Sequence, residues 1–189
     1  MTELWLIRHG QTDWNLKGRY QGQADEPLNA TGLAQAQVLA ASLARRSFRA
    51  LYSSDLLRAY QTAHIIADKL DLEVQVDIRL REINQGQWQG RTVDEIREAY
   101  NMARLPGSGR IDPAEARAPG GESVLEVSQR VAQAADDIAR RYPRGAVLVV
   151  AHGLALATLY CQAKGLDLAD VYAQIADNSK AVIIQWPPH

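Results

Sequence analysis

Two histidines carry the most chemical promise in this chain. His9 and His152 are far apart in sequence, yet each follows a short apolar run and each precedes a glycine. Leu4 to Ile7 leads into Arg8-His9-Gly10, and Ala146 to Val150 leads into Ala151-His152-Gly153. Short apolar runs of this kind read as buried strands. Ligands of open α/β sheets gather at the carboxyl ends of the strands, so both His-Gly pairs are expected to face one crevice. Gly10 and Gly153 let the backbone turn sharply or approach a ligand closely.

Arginines strengthen that reading. Arg8 adjoins His9, and Arg58 falls in the first turn of the helix expected after the second strand. The helix dipole disfavours a cation there, and a nearby anion explains its placement. Two arginines and two histidines around one crevice suit a doubly charged phosphoryl group, which guanidinium binds as a fork. Phosphoryl transfer needs a nucleophile, charge stabilisation and a proton for the leaving oxygen. Neutral imidazole can attack, and Glu82, in Leu80-Arg81-Glu82, can supply the proton. The competing reading of Glu82 is a surface carboxylate paired with Arg79 or Arg81. His64 reads as structural or exposed, His189 as a chain end, and Cys161 as a small buried helix residue.

The elements that must position these groups alternate between strand and helix. After the Leu4–Ile7 strand, Asn29 to Gly32 is a turn and cap, and a helix runs from there to about Arg46. Ala50 to Ser53 is the second strand. Ser54 and Asp55 offer N-caps for the next helix, whose apolar stripe is Leu56, Tyr60, Ala63, Ala67 and Leu70. Glu73 to Val76 is the third strand. Residues from about Ile78 to Gly121 are rich in Gly, Pro and Arg, with one helical piece near Thr92 to Tyr100, and read as a lid inserted into the core. Glu122 to Tyr142 is a helix with Val124, Val127, Val131, Ala134, Ile138 and Tyr142 on one stripe, stopped at Pro143. The Ala146–Val150 strand follows, then a helix from Leu154 to Lys164 ended by Gly165, and a last strand from Ala181 to Trp186. Such alternation predicts an α/β fold with a mostly parallel sheet covered on both faces. Trp5 and Trp186 are expected to pack, and Trp14 and Trp88 to line the pocket.

Bulk properties narrow the function. The chain has 189 residues, 47% hydrophobic and 23% charged, with a formal net charge of −1. That suits one domain and argues against a nucleic-acid or anionic-membrane surface. One cysteine permits neither an intrachain disulfide nor a Cys-rich metal site. The amino terminus lacks the basic and apolar regions of a secretory leader, and the longest apolar run is too short for a membrane span. A cytoplasmic location is expected. Nucleoside-triphosphate loops, His-Glu-x-x-His, Asp-x-Asp-x-Thr and Cys-x5-Arg patterns are all missing.

Five blocks of sequence resemble one family, in its order. They are Leu6-Ile7-Arg8-His9-Gly10-Gln11-Thr12-Asp13-Trp14-Asn15; Tyr52-Ser53-Ser54-Asp55-Leu56-Leu57-Arg58-Ala59-Tyr60-Gln61-Thr62-Ala63; Leu80-Arg81-Glu82-Ile83 with Gly86-Gln87-Trp88-Gln89-Gly90; Pro119-Gly120-Gly121-Glu122-Ser123; and Val150-Ala151-His152-Gly153. The family is the histidine phosphatase (phosphoglycerate mutase-like) superfamily. The resemblance implies a three-layer α/β/α sandwich, one domain over residues 1–189 with a small cap inserted at about 83–120. It implies that His9 becomes phosphohistidine, that Arg8, Arg58 and His152 hold the phosphate, and that Glu82 is the general acid. Asn15, Gln21, Gly22 and Gly153 fall at substrate- or phosphate-binding positions. No metal and no organic cofactor is implied; the expected partner is a small phosphomonoester, and a homodimer is compatible. Hydrolysis is favoured over a cofactor-primed mutase, because mutases of this kind are usually longer and carry an adjacent arginine pair in the cap, whereas Arg104, Arg110 and Arg117 are scattered. A non-catalytic phospho-ligand-binding module ranks below both.

Overall fold

The computed structural model describes residues 1–100 and 114–187. Five strands form one sheet: β1 (Thr2–Arg8), β2 (Ala50–Ser53), β3 (Val74–Val76), β4 (Gly145–Ala151) and β5 (Ala181–Trp186). Their spatial order is β3-β2-β4-β1-β5. The first four run parallel, and β5 pairs antiparallel with β1. Side chains alternate along each strand. Leu4, Leu6, Val147 and Val149 enter one hydrophobic layer, and Trp5, Ile7, Leu148 and Val150 enter the other. Helices α5 (Val124–Arg141) and α6 (Gly153–Lys164) cover the first face. Helices α2 (Ala30–Leu43) and α3 (Leu57–Leu70) cover the second. The result is the expected α/β/α sandwich.

Helix α5 follows its sequence pattern closely. Ser123 and Glu126 form a reciprocal capping box at its start, and Val124, Val127, Val131, Ala134 and Ile138 are buried. Each fully buried Val or Ile stabilises by about 1.5–3 kcal/mol, so this stripe fixes the helix on the sheet. Helix α2 is shorter than expected. It ends at Leu43, the last side chain to reach the core, and Arg46 instead lies over the Trp5 ring.

Helix α3 departs further from expectation. Its buried face is Ala59, Thr62, Ala63, Ile66 and Ala67, with Arg58 buried at its start, while Tyr60 and Leu70 are only half-buried. The stripe is rotated because Arg58 and Thr62 turn inward and make hydrogen bonds in the interior, Arg58 to Gly22 O and Thr62 Oγ1 with Gly10 N. Neither Ser54 nor Asp55 is the N-cap. Leu56 occupies that position without a side-chain cap. Instead Ser54 Oγ accepts from Leu56 N at 3.3 Å and Asp25 Oδ1, from a distant loop, accepts from Leu57 N at 2.7 Å. Asp55 turns away to Arg81, at 2.5 Å.

Between β3 and α5 the chain makes two short 3₁₀ turns, Ile78–Leu80 and Gly86–Trp88, and the short helix α4 (Val93–Ala99). Trp88, Ile96 and Ala118 are buried together, with Tyr20 and Tyr100 packed against them, a small core separate from the main layers. Arg104, Pro106, Gly107, Gly109, Arg110, Pro113 and His189 lie outside the described residues. Cys161 is free and buried in α6, and Trp5 and Trp186 are buried. Among the described residues no helix is long and apolar enough to cross a membrane.

Candidate active site

Sheet register builds the site. Arg8 pairs with Ala151 across β1 and β4, and His9 N donates to Ala151 O at 3.0 Å. The chain leaves both strands at the same edge, so the His9 and His152 rings stand 5.2 Å apart between centroids. Strand β2 exits beside them, with Ser54 N donating to Val150 O at 3.0 Å. The His9 turn is clamped from α3: Gly10 N donates to Thr62 Oγ1 at 3.0 Å, and that hydroxyl donates to Arg58 O at 2.8 Å. Gly10 is required by close approach, since a Cβ there would fall 2.5 Å from Gly32 O.

The hydrogen bonds of the His9 ring leave Nε2 as its unprotonated nitrogen. Its Nδ1 lies 2.7 Å from Gly10 O. A carbonyl can only accept, so Nδ1 carries the proton and Nε2 keeps its lone pair. Arg58 Nε donates to that Nε2 at 3.3 Å. Burial, then the Arg58 charge, holds His9 well below the ordinary imidazole range, against the pull of Gly10 O. Burial and Arg58 do the same to His152. Both rings are therefore neutral at neutral pH.

Arg58 is fully buried, and its guanidinium donates to Ala24 O at 2.6 Å and Gly22 O at 2.7 Å. Burial brings it down to about 10, so it remains a cation at neutral pH. Arg8 donates to Ala176 O at 2.8 Å, and its buried Nε has no hydrogen-bond partner among the described residues. Gly153 leaves room for it: a Cβ there would lie 2.9 Å from Ile175 Cγ2 and 3.4 Å from Arg8 Nε. Two desolvated cations with carbonyl partners are costly until an anion arrives. A phosphoryl group meets that need with charge and with acceptor oxygens.

Glu82 is held at the start of α6. Leu154 N and Ala155 N each donate to its carboxylate at 3.2 Å, and Ile83 N donates at 3.0 Å. It thus serves the free amides of a helix whose N-cap, His152, has no side-chain cap bond. Its neighbours Arg79 and Arg81 pair elsewhere, with Asp77 and Asp55, so the surface-pair reading of Glu82 fails. The segment is held by Arg130 of α5, which donates to Arg79 O, Arg81 O and Glu82 O and pairs with Glu122.

Asn15, Gln21, Gly22 and Gly153 line the same cavity as Arg8, His9, Arg58 and Glu82, about 240 Å³ in volume. His152 is fully buried beside His9 and is not among the lining residues. Thr12 sets two of these residues: its N–H donates to Asn15 Oδ1 at 3.1 Å and its hydroxyl lies 2.9 Å from Gln21 Oε1. A second lobe of about 240 Å³ shares Tyr20, Ile83, Gln85 and Tyr172 with the first and adds Trp88, Arg117 and Glu122. Trp88 thus borders the cavity as expected. Trp14 does not; it packs against Gly90.

Several site residues lie outside the motif reading. Asn178 donates to His9 O at 2.8 Å. It precedes β5, whose antiparallel course beside β1 returns that loop to the functional edge, and only the strand direction could have pointed to it. Tyr172 and Ile175 come from the stretch after α6, which carries no motif. Arg130 is one of many helix arginines in sequence, with nothing to distinguish it.

With this geometry established, comparison with known proteins is informative. Residues 4–189 match the histidine phosphatase superfamily, branch 1. The chain is 36% identical over 187 residues to phosphoserine phosphatase 1 of Hydrogenobacter thermophilus, covering 97% of this chain and 86% of that one. It is 40% identical over 168 residues to the probable phosphoglycerate mutase GpmB of Escherichia coli, covering 88% and 76%. The structure superposes on a mycobacterial glucosyl-3-phosphoglycerate phosphatase in complex with VO3 with a TM-score of 0.87 and 34% identity, covering 96% of this chain and 90% of the other. Its strand-end histidines and buried arginines thus sit in a chain that belongs to the histidine phosphatase superfamily, branch 1.

Proposed function

We propose that this protein is a metal-independent phosphomonoesterase acting through a phosphohistidine on a small phosphorylated metabolite. The observation that carries this reading is the His9 ring, neutral, with Nε2 unprotonated and facing the buried Arg58 guanidinium. In the first step Nε2 attacks phosphorus. The ester P–O bond breaks, and protonated Glu82 gives its proton to the leaving oxygen, releasing an alcohol. Arg58 and Arg8 then donate to the phosphoryl oxygens, supplying the positive charge that the transition state needs. In the second step water attacks phosphorus and gives a proton to the Glu82 carboxylate. The P–N bond breaks, inorganic phosphate leaves, and His9 is regenerated. Asn15, Gln21, Gly22 and Gly153 shape the phosphate end, and the leaving group extends toward the Tyr20–Tyr172 lobe. We place the protein in the cytoplasm, where a lone free thiol is compatible with the reducing environment.

A mutase reading is kept in view by the GpmB relative. Mutase chemistry needs further cations for a substrate carboxylate. Among the described residues, the other two arginines of the two lobes already hold carboxylates: Arg19 pairs with Glu95 and Arg117 with Glu126. This favours hydrolysis. The test is phosphate release from a panel of phosphomonoesters in excess chelator, with His9→Ala as the blank. Release is expected to persist with chelator and to fall by at least about 10⁴-fold in His9→Ala. Near-wild-type turnover in that variant would sink the assignment. Isomerisation of 3-phosphoglycerate primed with its bisphosphate, without comparable phosphate release, would establish the mutase instead.

A further inference from the structure

His152 has one buried ring nitrogen with a partner and one without. Nε2 lies 2.9 Å from Ser54 Oγ, while Nδ1 has no hydrogen-bond partner among the described residues. Both residues are fully buried. Which nitrogen carries the proton decides whether Nδ1 can donate to a ligand or only accept, and Ser54 decides which nitrogen that is.

The Ser54 hydroxyl has one proton and two lone pairs. One lone pair is taken, because Leu56 N donates to Oγ at 3.3 Å. Were His152 Nε2–H also to donate to Oγ, the hydroxyl proton and the Nδ1 lone pair would both be left without partners in a dry place, and each buried unpaired polar group is costly. If the hydroxyl instead donates to Nε2, its proton has an acceptor, one lone pair still takes the Leu56 N–H, and only Nδ1 is left open. Nε2 is then unprotonated, and in a neutral ring the proton must sit on Nδ1. That proton has no acceptor among the described residues. The His152 ring centroid lies 5.2 Å from that of His9, so a phosphoryl group that reaches His9 brings acceptor oxygens to its side.

We infer that Ser54 is a positioning residue: its hydroxyl fixes His152 as the Nδ1–H tautomer, so that His152 is a neutral donor held ready for a phosphoryl oxygen. The Leu56 N–H, at the cap of the helix that carries Arg58, orients the hydroxyl. One backbone amide therefore links the arginine helix to the tautomer of the second histidine. The inference rests on the phosphoryl-transfer reading above only for the identity of the acceptor.

The experiment is a long-range ¹H–¹⁵N spectrum of the histidine side chains, with His152 assigned from the His152→Asn variant. In the free wild-type protein, Nδ1 is expected to be protonated and Nε2 not. A spectrum with Nε2 protonated overturns the inference without any mutation. Added inorganic phosphate is expected to move the Nδ1–H proton downfield and slow its exchange; an unmoved proton on a phosphate-saturated protein overturns the donor role. Ser54→Ala is expected to mix the two tautomers and lower kcat by about ten- to a hundredfold, as loss of an outer partner typically does. Ser54→Thr, which restores a hydroxyl, is expected to recover the tautomer and much of kcat. Ser53→Ala is the neighbouring control. Its hydroxyl donates to Ser54 O at 2.8 Å and does not touch the imidazole, so tautomer and kcat are expected to stay near wild type. An unchanged tautomer in a folded Ser54→Ala protein overturns the proposal. The free-protein spectrum needs no turnover. A wrong tautomer in an active enzyme therefore defeats this inference alone, whereas the expected tautomer in a protein that neither hydrolyses esters nor binds phosphate defeats the functional reading.

Discussion

The phosphate end of the cavity and its outer lobe meet at Tyr20, Ile83, Gln85 and Tyr172, yet they are built in opposite ways. At the phosphate end, charged and polar groups are buried and individually tethered. Arg58 has three hydrogen bonds, His9 is held at Nδ1 and at its backbone oxygen, and Glu82 accepts from three amides. His9 follows a strand end and Arg58 opens a helix of the main sandwich, while Glu82, from the stretch after the Ile78–Leu80 turn, is tied to the start of α6. The outer lobe is walled by Tyr20, Trp88 and Tyr172 with Gln85, around a small core of its own, and its charged residues Arg117 and Glu122 are each paired with another side chain. Tyr172 there is 58% exposed. Rigid charge at one end suits a fixed phosphoryl group, and loosely held ring faces at the other suit a leaving group that varies.

The hardest blow to that division is Arg58→Ala. It removes the cation proposed to hold the transition state and leaves two carbonyls, Gly22 O and Ala24 O, without their guanidinium donor. Loss of one such donor typically costs about 10²–10³-fold in rate. The variant should therefore lose at least that much in kcat/KM for every ester alike, and inhibition by inorganic phosphate should weaken in parallel. Steady-state kinetics on a rapidly cleaved aryl phosphate and a sugar phosphate would check both. A loss confined to one ester would mean that the phosphate end also reads the leaving group.

A smaller effect with the opposite pattern is expected in the outer lobe. Tyr172→Ala removes an exposed ring and should leave the fold intact. An aromatic contact contributes about 0.5–1.5 kcal/mol beyond its burial, or roughly two- to tenfold in affinity. KM for ring-bearing esters should rise by that factor, while inhibition by inorganic phosphate should be unchanged. Equal weakening of inorganic phosphate would show that the two ends are coupled, and would remove the contrast.

Sequence legibility follows the same division. His9, His152 and Arg58 are readable because sheet topology places strand ends together, and the five blocks mark them. The main layers are equally readable: the Val124–Ile138 stripe and the alternation through Leu4–Ile7 state which faces are buried. The α3 stripe is not, because buried Arg58 and Thr62 break hydrophobic periodicity for a functional reason. Its first amides are met by Ser54, two residues before the Leu56 cap, and by Asp25 from a distant loop, and a tertiary contact of the second sort leaves no local pattern. Asn178 and Arg130 are chosen by the packing of distant elements. Tyr172 follows α6 in a stretch whose position is fixed only by packing. Side chains that the strand ends dictate are legible; those recruited from other layers are not.

The gentlest probe of the contrast is pH, since the phosphate end buries two neutral imidazoles and the outer lobe none. Burial lowers both in the folded state, with Arg58 and Arg8 adding to the shift; His9 and Arg130 also act on His152. Above the unfolded imidazole value of about 6.5 both states are neutral, and these groups leave stability unchanged. Below it the unfolded chain binds protons that the folded one refuses, so stability falls as pH falls. The slope approaches about 1.4 kcal/mol per pH unit for each histidine, down to the lower folded value. Chemical denaturation between pH 7.5 and 5 should show that decline before most carboxylates titrate. His152→Asn should remove one histidine's share of the slope whatever it does to absolute stability. A slope that the substitution does not change would mean that the His152 imidazole takes up a proton in the folded protein, and the neutral-donor picture of the phosphate end would fall with it.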